Sequence, residues 1–291
     1  MIPPAFDYAA PKTLSEAVGL LGQHPDAKVL AGGHSLIPMM RFRLALPALL
    51  VDINRIDGLA YLREQDGWLK IGAMTREVDL DVSDLVRQKY PLLADTTRVV
   101  ADPLVRNLAT IGGNLAHADP ANDHPATMLA YGAQLVATGP AGERLIPADA
   151  FFEGPFQTSL AHDEILTEIR IPMPRPNSGG AYFKIERKVG DFATAAVAAQ
   201  VTLDGSGNCE SVGIGLTNVG LTPIKATKAE AALRGKKPDD ATIRAAAQLA
   251  AEAAMPAGDQ RGSEEYKRAL VKTLTVRALR KALERAKGGQ A

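Results

Sequence analysis

Hydrophobic and polar positions change their period several times along this chain. Residues 13–22 open with Thr13 and Glu16, a T-x-x-E capping box, ahead of an apolar stripe of Leu14, Ala17, Val18 and Leu21. That i, i+3, i+4, i+7 spacing predicts a short helix, which Gly22 is placed to end. Residues 28–31 read as a buried strand running straight into Gly32-Gly33. A helix-like stretch over 34–44 follows, interrupted by Pro38, and then a short strand over 49–53. Beyond Asn54 the pattern weakens to strands, notably 68–73, and then to helices over 83–100, with Pro91 at a helix start. Residues 166–171 alternate as a strand until Pro172, Pro174 and Pro176 form a stiff, strand-breaking linker. Three strand-like runs (182–188, 195–203, 212–218) precede three helices, the last over about 263–287. Strands followed by helices predict an antiparallel sheet covered by helices. No repeat of 20 to 50 residues and no low-complexity tract interrupts this order.

Composition narrows the functional classes. The 291 residues are 46% hydrophobic, more than the ~150 of a typical single domain, so two or three lobes are expected. Lys+Arg and Asp+Glu are both 33, leaving no net positive field for a phosphate backbone, and nucleic acid is not expected as a partner. The first twelve residues contain Pro3, Pro4 and Asp7 without a basic start or a long apolar run, so no secretory signal is read there. No uncharged apolar run reaches the ~18 residues of a transmembrane helix, and a soluble protein is expected. Cys209 is the only cysteine, which excludes a disulfide within the chain and a cluster ligated by its own thiolates. The last helix carries eight basic residues against three acidic ones over 264–287. A solvated face is the plain reading, and a contact with an acidic partner subunit the alternative.

Candidate chemistry concentrates in two paired-glycine motifs. The first, Ala31-Gly32-Gly33-His34-Ser35-Leu36, joins a strand to a helix-like segment; the second is Thr110-Ile111-Gly112-Gly113-Asn114, read as another glycine turn. Glycine lets backbone N–H groups approach an anion closely and adopts φ > 0 without steric cost. One such motif is ordinarily a tight turn. Two of them fit a pyrophosphate whose oxygens are shared between separate sets of donors, each charge-assisted bond contributing ~1.5–3 kcal/mol. No P-loop is present, and Gly213-Ile214-Gly215 reaches Asn218 where the dinucleotide fingerprint wants glycine. The segment His117-Ala118-Asp119-Pro120-Ala121-Asn122-Asp123-His124 offers imidazoles and carboxylates for a metal. Pro120 and Pro125, however, make it a rigid loop, and a hydrogen-bonded loop capping a helix near Ala126 is the plainer reading. Gly205-Ser206-Gly207 lacks the spacing of a nucleophile elbow. No catalytic residue and no metal site are expected.

Taken together, the motifs at residues 31–38, 110–114 and 119–123, continued by 187–194 and 215–219, resemble the FAD-binding medium subunits of the carbon monoxide dehydrogenase and xanthine dehydrogenase family of molybdenum hydroxylases. The resemblance spans nearly the whole chain. It implies an α+β protein: a two-subdomain FAD-binding fold of the PCMH/vanillyl-alcohol-oxidase type over 1–55 and 56–175, plus a C-terminal α+β domain over 176–291. It places Val29, Leu30, Ala31, Gly32, Gly33, His34, Ser35 and Leu36 in one pyrophosphate loop and Thr110, Ile111, Gly112, Gly113 and Asn114 in the other. Val100, Asp123, Leu166 and Lys184 fall where further FAD contacts lie. Phe192 falls where the family has a tyrosine near the flavin ring, so a packing role is left and the hydroxyl is missing.

The function so implied is electron transfer with non-covalent FAD. A large molybdopterin subunit and a small subunit with two [2Fe–2S] clusters are the expected partners, in a dimer of heterotrimers. The setting is cytoplasmic, with peripheral attachment to the inner membrane through the complex as an alternative. Two other classes are weighed: a self-contained PCMH-type flavin oxidase, in which His34 carries the flavin covalently, and a non-catalytic nucleotide-binding module.

Overall fold

The computed structural model describes residues 2–288. The first lobe is a three-stranded parallel sheet of β1 (Asp7–Ala9), β2 (Ala27–Leu30) and β3 (Leu49–Asp52), ordered β1-β3-β2. Its crossover helix α1 (Leu14–Gln23) begins at the expected capping box and buries Ala17, Val18 and Leu21. Gly22 does not end α1: the helix runs to Gln23 and is capped at His24, whose N–H donates to the Leu20 and Leu21 carbonyls. The short α2 (Leu36–Arg41) accommodates Pro38 in its first turn, where a missing N–H costs no helical bond.

The second lobe is an antiparallel sheet ordered β4-β5-β10-β6-β7, formed by β4 (Leu62–Gln65), β5 (Trp68–Gly72), β6 (Gln134–Gly139), β7 (Gly142–Pro147) and β10 (Ile165–Pro172). A small hairpin, β8 (Phe152–Gly154) with β9 (Gln157–Thr158), lies between β7 and β10. Helices α3 (Glu77–Val82), α4 (Asp84–Lys89), α5 (Pro91–Arg98), α6 (Pro103–Arg106), α7 (Ile111–His117) and α8 (His124–Tyr131) complete this lobe. Leu69, Ile71, Tyr90, Leu135, Phe151 and Ile169 form its core. Residues 110–114 are not a glycine turn but the start of α7, where the Thr110 side chain caps Gly113 N–H at 3.0 Å.

The third lobe carries the antiparallel order β11-β12-β13-β14, from β11 (Ser178–Ile185), β12 (Ala195–Leu203), β13 (Cys209–Thr217) and β14 (Ile224–Lys225), followed by α9 (Thr227–Leu233), α10 (Asp240–Ala253) and α11 (Glu264–Ala286). Helix α11 packs on β11 and β12, while α8 of the second lobe packs on β12 and β13. That two-sided burial explains the almost wholly apolar β12. The basic surplus of α11 is partly spent inside the chain: Lys267 pairs with Asp259, Arg280 with Asp240, Lys281 with Glu284 and Arg285 with Asp95.

Candidate functional site

A cleft of about 660 Å³ runs where the three lobes meet. Its size falls within the ~300–1,000 Å³ usual for small-molecule and cofactor sites. The first lobe contributes Val29, Ala31, Gly32, Gly33, His34, Ser35 and Leu36. From the second come Val100, Thr110, Gly112, Gly113, Asn114, Asp123 and Leu166, and from the third Lys184 and Phe192. Two expected positions stand apart. Ile111 is fully buried in the second-lobe core, and Leu30 supports the first loop from behind, its Cδ1 3.4 Å from where a Gly33 side chain would begin.

The two glycine motifs do different work. In the first loop Gly33 has φ +76°, and among the described residues the N–H groups of Gly32, Gly33, His34 and Ser35 donate to nothing within the chain. Unsatisfied donors at a helix entrance suit an anion. In the second motif the donors are already engaged. Ile111 N–H donates to the Thr75 carbonyl (3.1 Å), Gly112 N–H to the Ala73 carbonyl (2.9 Å), Gly113 N–H to Thr110 Oγ1 (3.0 Å) and Asn114 N–H to the Thr110 carbonyl (3.0 Å). What this segment offers the cleft is the Asn114 side chain, whose Oδ1 is buried without a hydrogen-bond partner. Close approach explains the glycines: a Cβ on Gly112 would lie 2.5 Å from Ala73, and one on Gly32 2.2 Å from the Leu108 carbonyl.

Sequence reasoning missed the clamp that joins these segments. Asn54 Nδ2 donates to the Ala31 carbonyl (2.9 Å), and Arg76 donates through Nη2 to Asn54 Oδ1 (2.6 Å) and through Nη1 to the Leu108 carbonyl. No local motif marks either residue, because their partners are distant in the chain.

The cleft floor is a buried charge cluster. Lys184 Nζ donates to Asp123 Oδ2 (2.9 Å) and to the Val99 carbonyl (3.0 Å), and Tyr182 Oη donates to Asp123 Oδ1 (2.7 Å). Burial pushes the Asp123 carboxyl up, against the opposing pull of Lys184 and Tyr182. Tyr182 carried no sequence signal and, with Lys184, adds buried polar contacts between the third lobe and the second. Behind Asp123, His124 Nε2 and Glu77 Oε2 are 2.8 Å apart and wholly buried. Burial acts against a charge on His124, yet the Glu77 carboxylate raises its pKa overall. The loop before α8 is hydrogen-bonded as expected, with Asn122 Nδ2 donating to the Asn114 carbonyl (2.8 Å), but Asp123 at the helix entrance makes no side-chain cap and the helix begins at His124 rather than at Ala126. His117, on the cleft wall, has its pKa lowered by burial and packs against Phe156. At the mouth Phe192 is half exposed. Beside it, Asp191 is held at about 2: burial opposes its ionisation, but hydrogen bonds from Arg187 and Arg261 prevail.

Comparison with known proteins decides the family. Residues 4–174 match the model of the FAD-binding domain in molybdopterin dehydrogenase, and residues 180–282 match that of the carbon monoxide dehydrogenase flavoprotein C-terminal domain. The medium chain of carbon monoxide dehydrogenase from Hydrogenophaga pseudoflava is 47% identical over 98% of this chain and 99% of its own length. The chain belongs to the FAD-binding medium subunits of carbon monoxide dehydrogenase-type molybdenum hydroxylases. A solved structure of the Hydrogenophaga pseudoflava dehydrogenase superimposes with a TM-score of 0.95, covering 98% of this chain and 99% of the matched chain at 48% identity. More distantly, subunit alpha of the 6-hydroxypseudooxynicotine dehydrogenase complex from Paenarthrobacter nicotinovorans is 38% identical over 99% of this chain and 97% of its own.

The cleft of this medium subunit fits the cofactor of its family, FAD. Four free N–H groups beside a left-handed glycine, the unpartnered Asn114 Oδ1 and apolar walls at Val100 and Leu166 match a ligand with a charged centre and a flat aromatic end. Among the described residues no group of His, Cys, Asp and Glu could hold a metal ion, and no helix is long and apolar enough to cross a membrane.

Proposed function

We propose that this medium subunit is an electron relay. Electrons taken from substrate in a large molybdopterin subunit pass through the two [2Fe–2S] clusters of a small subunit, cross this cleft and leave to an external acceptor. The observation that carries the reading is the cleft itself: the positions assigned by resemblance, apart from Leu30 and Ile111, converge on one cavity from three lobes. FAD, when bound, supplies the redox chemistry that the chain's own side chains lack. The residues hold and orient it. Gly32 to Ser35 donate backbone N–H groups to the pyrophosphate, Asn114 supplies a side-chain contact, and Lys184 and Asp123 set the charge of the floor. Val100 and Leu166 would give further FAD contacts, and Phe192 would pack near the flavin ring. No residue of this chain is assigned to catalysis.

The lone buried Cys209 leaves any iron–sulfur cluster to a partner. Higher identity to a carbon monoxide dehydrogenase medium chain than to the 6-hydroxypseudooxynicotine dehydrogenase subunit favours carbon monoxide as substrate of the assembly. We assign that assembly to the cytoplasm as a dimer of heterotrimers. The isolated FAD-loaded chain is expected to show no carbon monoxide-dependent dye reduction, and reconstitution with the large and small subunits to restore it. Robust reduction by the isolated chain, free of molybdenum and iron, would establish the self-contained oxidase instead.

A further inference from the structure

A second cavity, of about 320 Å³, opens between the second and third lobes and shares no lining residue with the cofactor cleft. Helix α8 separates the two. Asp123, just before its first turn, lines the cleft, whereas Leu129 to Gly132 at its far end line this cavity, and a helix of eight residues spans about 12 Å. The proline-rich linker over 172–175 forms a further wall, stiffened by the fixed φ of its prolines. Gln200 of β12 lies on the same cavity, against Gly180, where a Cβ would sit 2.2 Å from Gln200 Oε1. That oxygen is buried and has no hydrogen-bond partner. A buried acceptor left open beside a cavity calls for a donor from outside the chain. Charge supplies the other half of the site. Lys89, Arg175, Lys225 and Arg234 line the cavity against one carboxylate, Glu230. Lys89 and Arg175 are engaged, with Glu64 at 2.7 Å and Glu210 at 2.6 Å. Lys225 comes only within 4.0 Å of Asp149, and the Arg234 guanidinium makes no hydrogen bond or ion pair among the described residues. Burial pushes the Glu230 carboxyl up, against the pull of these two cations and of the Ile214 N–H that donates to its Oε1 at 2.9 Å. A carboxyl shifted towards its neutral form repels an anion less.

We propose that this cavity binds a small organic anion that also carries an N–H donor, its carboxylate or phosphate held by Lys225 and Arg234 and its donor by Gln200 Oε1. Leu129, Met173 and Val212 supply apolar wall for the body of the ligand. At 320 against 660 Å³ the cavity has about half the volume of the cofactor cleft, which fits a single-ring ligand rather than a second dinucleotide. The site is independent of the electron-relay reading, since none of its residues belongs to the cofactor cleft.

The test titrates the full FAD-saturated chain with para-aminobenzoate and with para-aminophenyl phosphate by isothermal calorimetry, beside the uncharged para-aminobenzamide. At least one of the anions is expected to bind at a single site, and the amide about tenfold or more weakly than that anion. Which anion binds distinguishes a carboxylate ligand from a phosphate ester. Lys225→Gln combined with Arg234→Gln is expected to weaken the bound anion about tenfold or more, with flavin content and circular dichroism unchanged. Lys272→Gln, at an exposed cation of α11, is expected to bind it as wild type. If the double variant loses its fold, Met173→Glu, which adds a carboxylate to the same wall, decides by the same loss of affinity. Failure of both anions to bind, binding that FAD displaces, an equal loss in Lys272→Gln, or undiminished binding in the folded double variant would each overturn the site.

Discussion

At φ +76°, Gly33 occupies backbone space that a side chain resists, and a Cβ there would lie 2.7 Å from Ile37 Cδ1. Gly33→Val therefore strains the cleft-lining loop that carries the unengaged N–H groups, by about 1–3 kcal/mol. We expect a folded protein that binds FAD about ten- to a hundredfold more weakly, read by released-flavin fluorescence beside circular dichroism. Gly205→Ala, where nothing lies within 4 Å, is the control, and wild-type affinity in Gly33→Val would remove the first loop from the site. Gly113 is a poorer probe, because a side chain there would start 2.8 Å from the Thr110 oxygen that caps α7, so helix and cleft would suffer together. The buried His124–Glu77 pair makes a pH prediction. A folded-state pKa raised above the ordinary histidine value contributes stability that is fully present below about pH 6.5 and lost as pH rises through the raised value. His124→Gln should be less stable near neutrality by ~3–5 kcal/mol and should flatten that alkaline decline. Urea unfolding across the range checks it, and parallel curves for both proteins would sink it. The glycine pairs are visible in the sequence. Which glycine needs positive φ and which needs close approach is not, because the neighbour that crowds Gly32 is Leu108.

Helix α8 shows the same limit for elements. Gly213 and Gly215 could be set aside as a nucleotide fingerprint from spacing alone, yet their purpose emerges only where α8 lies on β13. A Cβ on Gly215 would sit 2.0 Å from the Ala126 carbonyl, and one on Gly213 1.9 Å from that of Ala130. Gly215→Ala must push α8 off the sheet, costing about 1–3 kcal/mol by overpacking. Since Asp123 directly precedes α8 and meets Lys184 and Tyr182 of the third lobe, FAD affinity should fall with stability. An unchanged urea midpoint with unchanged flavin binding would show that the helix can shift freely. Helices with local signals, such as α1 with its capping box and α5 with Pro91 at its start, were legible. The first turn of α7 was not: paired glycines read as a break by propensity, and the Thr110 cap together with packing of Gly112 against Ala73 overrides that preference.

Across the whole molecule, the second and third lobes share a core rather than a wet interface. Leu92, Ala126 and Ala130 pack with Tyr182, Ala196 and Ala198. Arg285 makes a bidentate pair with Asp95 at 2.6 and 3.1 Å. We therefore expect these two lobes to unfold in one calorimetric transition, which excess FAD moves upward because only the folded cleft binds it. Flavin should be released in that same transition, and acid precipitation should leave it in the supernatant. Flavin that stays with the denatured chain would mean a covalent bond, with the exposed His34 in the cleft as its candidate.

Local chemistry was enough to determine the order of strands followed by helices in the last lobe, the two glycine motifs, and the exclusion of a protein-ligated iron–sulfur cluster by a single cysteine. These depend on periodicity, caps and residue counts, which are properties of neighbouring positions. Tertiary structure alone decided that the N–H groups of the first motif are free while those of the second are consumed by Thr75, Ala73 and Thr110. It alone decided that Asn54 and Arg76 clamp the loops, and that Asp123 faces Tyr182 and Lys184. Each of these is a pairing between segments far apart in the chain. A hydrogen bond is settled by where both partners end up, and the sequence around either one carries no mark of the other.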